Sequence, residues 1–89
     1  MNSKRYQCSC CNYLTLSSNS DSSFDICPVC YWENDCIQNE NPDYEGGAND
    51  ISLNQAKENY KKYGASDKRF LTYVRPPSEE EISIISAQK

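Results

Sequence analysis

Apolar residues along the chain come in short runs separated by long polar stretches, and only one stretch carries a helical period. Tyr13-Leu14-Thr15-Leu16 reads as a short strand. Residues 17–23, Ser-Ser-Asn-Ser-Asp-Ser-Ser, have no apolar member and read as a hairpin tip. Phe24-Asp25-Ile26 alternates apolar and polar, as a returning strand does, and runs straight into Cys27. From Leu53 the pattern changes. Leu53, Ala56, Tyr60 and Tyr63 recur at i, i+3, i+7 and i+10, which predicts one amphipathic helix over about 52–63. Ser52-Leu53-Asn54-Gln55 fits a capping box at its start, and Gly64 stands where a terminating glycine belongs. Phe70-Leu71-Thr72-Tyr73-Val74 reads as a third strand, ended by Arg75-Pro76-Pro77 because proline has no N–H to pair. Gln38 to Asp50 reads as an acidic loop holding Pro42 and Gly46-Gly47.

Composition makes this pattern hard to sustain by burial alone. Leu, Ile, Val and Phe supply 14 of 89 residues, below the roughly 20 % under which chains tend to stay unfolded. A chain of this length buries only about 60–65 % of its unfolded surface. Six cysteines, seven tyrosines and a tryptophan are nevertheless present. The fold therefore needs a staple, and cysteine chemistry is the first candidate.

The absence of histidine excludes Ser-His and Cys-His nucleophile pairs and every His-ligated metal site. No apolar run approaches a membrane span, and Met1-Asn2-Ser3-Lys4-Arg5 leads into no apolar stretch, so neither a membrane segment nor a secretory signal is visible. A cytoplasmic setting is expected, in which clustered thiols signal metal more often than disulfides.

Cys8-x-x-Cys11 and Cys27-x-x-Cys30 are separated by fifteen residues. Such spacing belongs to four-thiolate metal sites. Each tight turn aims two sulfurs at one ion, and the intervening hairpin brings the turns face to face. A four-thiolate set leaves no open coordination position, so the predicted role is structural. Zinc is the expected ion, with iron accepted by the same ligands. Pro28 stiffens the second turn, and Asn12 suits a left-handed conformation after the first, whereas bulky Tyr31 suits it poorly. Cys27-Pro28-Val29-Cys30 also looks like a glutaredoxin motif, but it opens into polar Tyr31-Trp32-Glu33-Asn34-Asp35 rather than an apolar helix. Cys10 and Cys36 are left over and read as small buried apolar side chains.

Two ordered runs, Cys8-Ser9-Cys10-Cys11-Asn12-Tyr13-Leu14-Thr15-Leu16 and Ile26-Cys27-Pro28-Val29-Cys30-Tyr31-Trp32-Glu33-Asn34-Asp35, resemble the cysteine-rich CPCC family of small, mostly bacterial proteins. The likeness continues through Asn41-Pro42-Asp43-Tyr44-Glu45-Gly46-Gly47-Ala48-Asn49, Ser52 to Ala56, Asn59-Tyr60, Tyr63-Gly64-Ala65 and Val74-Arg75-Pro76-Pro77. Ser9 stands where the name-giving proline would be, and Asn12 and Tyr31 stand where glycines are usual. The resemblance implies a small zinc-ribbon-like domain and no established reaction, with an occasional setting near bacterial toxin genes.

The expected fold is therefore a small α+β domain over residues 1–80. Rubredoxin-like knuckles form its hairpin, with one amphipathic helix and a further short strand, and 81–89 form a tail. Residues 21–50 hold eight acids and no base. That block repels a phosphate backbone. It makes Trp32, Glu33, Asp35, Glu40, Asp43, Tyr44 and Glu45 the candidate surface for a basic protein partner, an immunity protein against a toxin being one specific form. The alternatives are a nucleic-acid-binding zinc ribbon using Lys57, Lys61, Lys62, Lys68 and Arg69, and a thiol-redox protein.

Overall fold

The computed structural model describes residues 6–16 and 25–82. Its elements run β1 (Tyr6–Gln7), β2 (Leu14–Leu16), α1 (Cys36–Glu40), α2 (Leu53–Tyr63) and a 3₁₀ segment (Lys68–Tyr73). β1 and β2 form a two-stranded antiparallel sheet with an irregular register, Tyr6 facing Leu16 and Gln7 facing Leu14. The strand predicted around Tyr13–Leu16 thus exists, but its partner lies before the first cysteine pair. Ile26 forms instead an isolated antiparallel bridge to Glu33 across the second pair. The polar tip at 17–23 and Phe24 lie outside the described residues.

α2 forms where its local signals place it. Ser52 Oγ accepts from the Gln55 N–H at 3.1 Å, and Gly64 closes the helix at φ 92° with its N–H on Tyr60 O. Gln55 does not reach back to complete the box; its amide donates to Asn59 Oδ1 at 3.0 Å. Leu53 and Ala56 are buried and Tyr60 is half-buried, whereas Tyr63 stays exposed under the Lys68 ammonium, 5.4 Å from its ring centre. Lys61 and Lys62 occupy the last turn, where positive charge opposes the helix dipole favourably.

The predicted third strand is a helix. Asp67 accepts from Arg69 N–H at 3.1 Å, and Phe70 N–H reaches Asp67 O at 2.9 Å, so Lys68–Tyr73 winds into 3₁₀ turns. A capping aspartate, with no neighbouring strand there among the described residues, overrides the β-branched and aromatic composition.

An unpredicted helix, α1, leads into the acidic loop. Asp35 caps α1 through contacts to the Ile37 and Gln38 N–H groups at 2.9 and 3.4 Å. Fully buried Gln38 then organises the loop after it. Its Nε2 lies 3.0–3.1 Å from the carbonyls of Tyr44, Asn49 and Ile51, and its Oε1 accepts from both Asn49 N–H and Asn49 Nδ2. One side chain thereby satisfies backbone groups that a loop would otherwise leave unpaired. Gly47 passes so close that a Cβ there would sit 2.7 Å from Asp35 Oδ2 and 2.9 Å from Gln38 Cγ.

The apolar interior is centred on cysteine. Cys8, Cys10, Cys11, Cys27 and Cys30 pack with Leu16, Val29, Trp32, Leu53 and Ala56, and Tyr6, Tyr13, Ile51 and Tyr60 close the edges. Tyr13 meets Tyr60 edge-to-face at 6.5 Å, joining the first knuckle to α2. No helix among the described residues is long and apolar enough to cross a membrane.

Candidate metal centre

The two cysteine turns are the same structure built twice. Cys8 N–H donates to Tyr13 O at 2.9 Å and Asn12 N–H to Cys8 O at 2.8 Å. Cys27 N–H donates to Trp32 O at 3.0 Å and Tyr31 N–H to Cys27 O at 2.8 Å, at equivalent positions. Asn12 and Tyr31 both adopt the left-handed conformation, with φ of 69° and 72°. The bridges that follow match as well, Gln7 with Leu14 and Ile26 with Glu33. A tight turn with reversed handedness at its fifth residue returns the chain while exposing N–H groups to the sulfur inside. Cys10 N–H lies 3.4 Å from Cys8 Sγ, and the Val29 and Cys30 N–H groups lie 3.4 Å from Cys27 Sγ.

Both turns deliver their sulfurs to one place. The sulfurs of Cys8, Cys11, Cys27 and Cys30 all lie within 4.8 Å of one another, and all four residues are buried. Cys8 and Cys30 are 3.6 Å apart, Cys11 and Cys27 3.7 Å. A disulfide requires about 2.05 Å. A tetrahedral ion with Zn–S near ~2.3 Å places its sulfurs about 3.8 Å apart, so the spacing suits four thiolates around one ion.

The Cys27 thiol is drawn below its ordinary range by hydrogen bonding from Cys11 above all, then from Cys30 and Cys8, and from Thr15, whose hydroxyl lies 2.9 Å away. Cys11 is pushed up, first by its hydrogen bond with Cys27, and Cys30 is pushed up, first by Cys10; burial adds to both. A divalent cation held between the four sulfurs would stabilise all four as thiolates together.

The family model for cysteine-rich CPCC proteins matches residues 6–81. The chain belongs to the cysteine-rich CPCC family. No curated protein matches it. In this CPCC chain the family and the four-cysteine cluster together point to metal binding.

Three further residues support the CPCC cluster and escaped the sequence reading. Thr15, buried on β2, hydrogen-bonds with Cys27 Sγ. Arg75 N–H donates to Pro28 O inside the second knuckle at 3.2 Å. Its guanidinium grips Glu81 with two contacts of 2.9 Å each. Glu81, assigned from sequence to the tail, is 1 % exposed and accepts from Ser78 N–H at 2.8 Å, so residues 78–81 form a capping box. Only Ser78-Glu79-Glu80-Glu81, which fits the S-x-x-E pattern, signalled this in advance.

The surface proposed for a partner divides in two. Trp32 is 1 % exposed and gives its indole N–H to Asn39 Oδ1 at 3.1 Å, so it belongs to the interior. Asp35 is buried too, its carboxylate spent on Ile37, Gln38 and Ala48 N–H groups; the Ala48 bond is the chief reason it stays ionised below the usual carboxylate range. Glu40, Asp43, Tyr44 and Glu45 are exposed and Glu33 is half-buried. Of the basic set, Lys57 is half-buried and Lys61, Lys62, Lys68 and Arg69 are exposed. Arg69 is held by Asp50 at 2.7 Å and Asp67 at 3.3 Å, and Lys61 lies 4.0 Å from Glu58. Cys10 is buried as expected, whereas Cys36 is only partly covered.

Proposed function

We propose that this CPCC protein is a non-enzymatic interaction module whose zinc-ribbon-like knuckles close around one structural zinc ion. Cys8, Cys11, Cys27 and Cys30 would hold the ion. The observation that carries this reading is four buried sulfurs within 4.8 Å of one another, delivered by two matching turns. When bound, the ion supplies a cross-link rather than a reaction, since four thiolates leave no position for substrate. Apparent zinc-binding free energies of about 10–16 kcal/mol in small peptides match or exceed the net stability of a whole domain. Fourteen aliphatic and phenylalanine residues then suffice.

The exposed acids Glu40, Asp43 and Glu45 would face a basic protein, an immunity-type complex with a toxin being the specific form. Arg69 already spends its charge on Asp50 and Asp67, which weighs against a phosphate-binding role for the basic segment. A pull-down with the metal-loaded protein and with a Glu40→Gln, Asp43→Asn, Glu45→Gln variant tests the reading. A basic protein captured by the first and lost by the second supports it. Recovery of nucleic acid, or of no protein, contradicts it.

A further inference from the structure

A cleft of about 220 Å³ lies beside the second knuckle, between the loop that follows α1 and the 3₁₀ segment. One side is aromatic: Tyr31 and Phe70 lie with ring centres 4.7 Å apart. The charged residues around it are Glu33, Asp50, Asp67 and Arg69, three carboxylates against one guanidinium.

The chain itself displays what this chemistry holds. Arg69 is clamped by Asp50 at 2.7 Å and Asp67 at 3.3 Å, with its guanidinium carbon 4.9 Å from the centre of the Phe70 ring. Carboxylates at the edge and a ring at the face are the two partners a guanidinium seeks. Glu33 has no such counterpart; its carboxylate makes no ion pair among the described residues. Its backbone is fixed on both sides by Asn49, Oδ1 accepting its N–H and Nδ2 donating to its carbonyl, each at 2.9 Å. The Glu33 backbone is thus held at the cleft that Tyr31 and Phe70 also line, and its carboxylate makes no ion pair among the described residues. The complement is a second guanidinium from outside, since a planar, weakly hydrated cation suits ring and carboxylate better than an ammonium.

We propose that this cleft, which Tyr31 and Phe70 also line, receives an arginine side chain of a basic protein partner, with Glu33 as its counter-charge. The assignment rests on the interaction-module reading and narrows it to one anchor. Its probe is the blocked tripeptide acetyl-Gly-Arg-Gly-amide, titrated into the metal-loaded, isotope-labelled protein by NMR. The expected result is saturable shifts at the amides of Tyr31, Glu33, Asp67 and Phe70. Binding should be at least tenfold weaker for the citrulline analogue, which keeps the shape and lacks the charge, and about tenfold weaker in Glu33→Gln. Absence of saturable shifts there, equal binding of the citrulline peptide, or an unaffected Glu33→Gln overturns the assignment. The two readings fail separately. A basic partner still captured by Glu33→Gln leaves the module standing and removes the cleft, whereas arginine-specific shifts without any captured protein uphold the cleft and remove the module.

Discussion

Asn12 and Tyr31 occupy the same position in two matching turns, with φ of 69° and 72°. Their side chains differ in what the position asks of them. Asparagine tolerates the left-handed region, whereas a bulky residue there costs roughly 1–2 kcal/mol. Tyr31 offsets that cost on the far side of its ring, which packs against Phe70 at 4.7 Å and stacks on Tyr73 at 5.4 Å. Such aromatic pairs contribute about 0.5–1.5 kcal/mol each beyond buried area.

Strain and stacking at Tyr31 can be separated by two substitutions. Tyr31→Ala removes the stack and keeps the strain, whereas Tyr31→Gly removes both. Denaturant unfolding of the metal-loaded protein should find the alanine variant less stable than the glycine variant by about 1 kcal/mol. Equal stability would contradict the strain. Asn12→Gly should change stability by only a few tenths of a kcal/mol.

Gly47 should tolerate alanine far less well than Gly46. A Cβ at Gly47 meets Asp35 Oδ2 at 2.7 Å and Gln38 at 2.9 Å, and both side chains are buried and pinned by several hydrogen bonds. A Cβ at Gly46 meets open space and suffers only from φ 89°. Thermal unfolding should show a loss of about 2–3 kcal/mol for Gly47→Ala against about 1 for Gly46→Ala.

Glu81 gives a pH signature. Its pairing with Arg75 is the main reason its carboxyl falls from an ordinary value of 4.5 to about 2. A carboxyl lowered in the folded state stabilises the fold above its unfolded pKa, and that contribution fades as pH drops through the folded one. The stability gap between the native chain and Glu81→Gln should therefore be constant well above pH 4.5 and shrink as pH falls through 4.5 toward 2. The comparison is read over the pH range in which both chains stay metal-loaded. A pH-independent gap would contradict the ion pair.

In the proposed metal site Thr15 would position Cys27 rather than ligate the ion. Thr15→Val keeps the shape and loses the hydroxyl 2.9 Å from Cys27 Sγ. Competition with a chelator should show metal affinity reduced roughly 10- to 100-fold, as for other groups that support ligands, with the bound stoichiometry unchanged. Retention of full affinity would show that the hydroxyl only packs.

What could be read from the sequence was what is decided locally. The Cys8-x-x-Cys11 and Cys27-x-x-Cys30 turns and α2 each carry their instructions within a few residues, and both appear where expected. The 3₁₀ segment was misread because a strand depends on a neighbouring strand, and none among the described residues pairs with Phe70–Val74, while Asp67 supplies a helical cap. α1 was missed because Gln38 holds the chain through carbonyls six to thirteen residues away. Thr15 and Arg75 were missed for the same reason, as their partners lie 12 and 47 residues distant along the chain. Trp32 and Asp35 looked available to a partner only because exposure is a property of the folded chain.

Native mass spectrometry of the purified protein tests the central claim most directly. The account predicts one bound metal ion per chain, four thiol protons displaced, loss of the ion in Cys27→Ser and its retention in Cys10→Ser and Cys36→Ser. A compact chain carrying no metal, or full metal retention in Cys27→Ser, would contradict a fold centred on the ion.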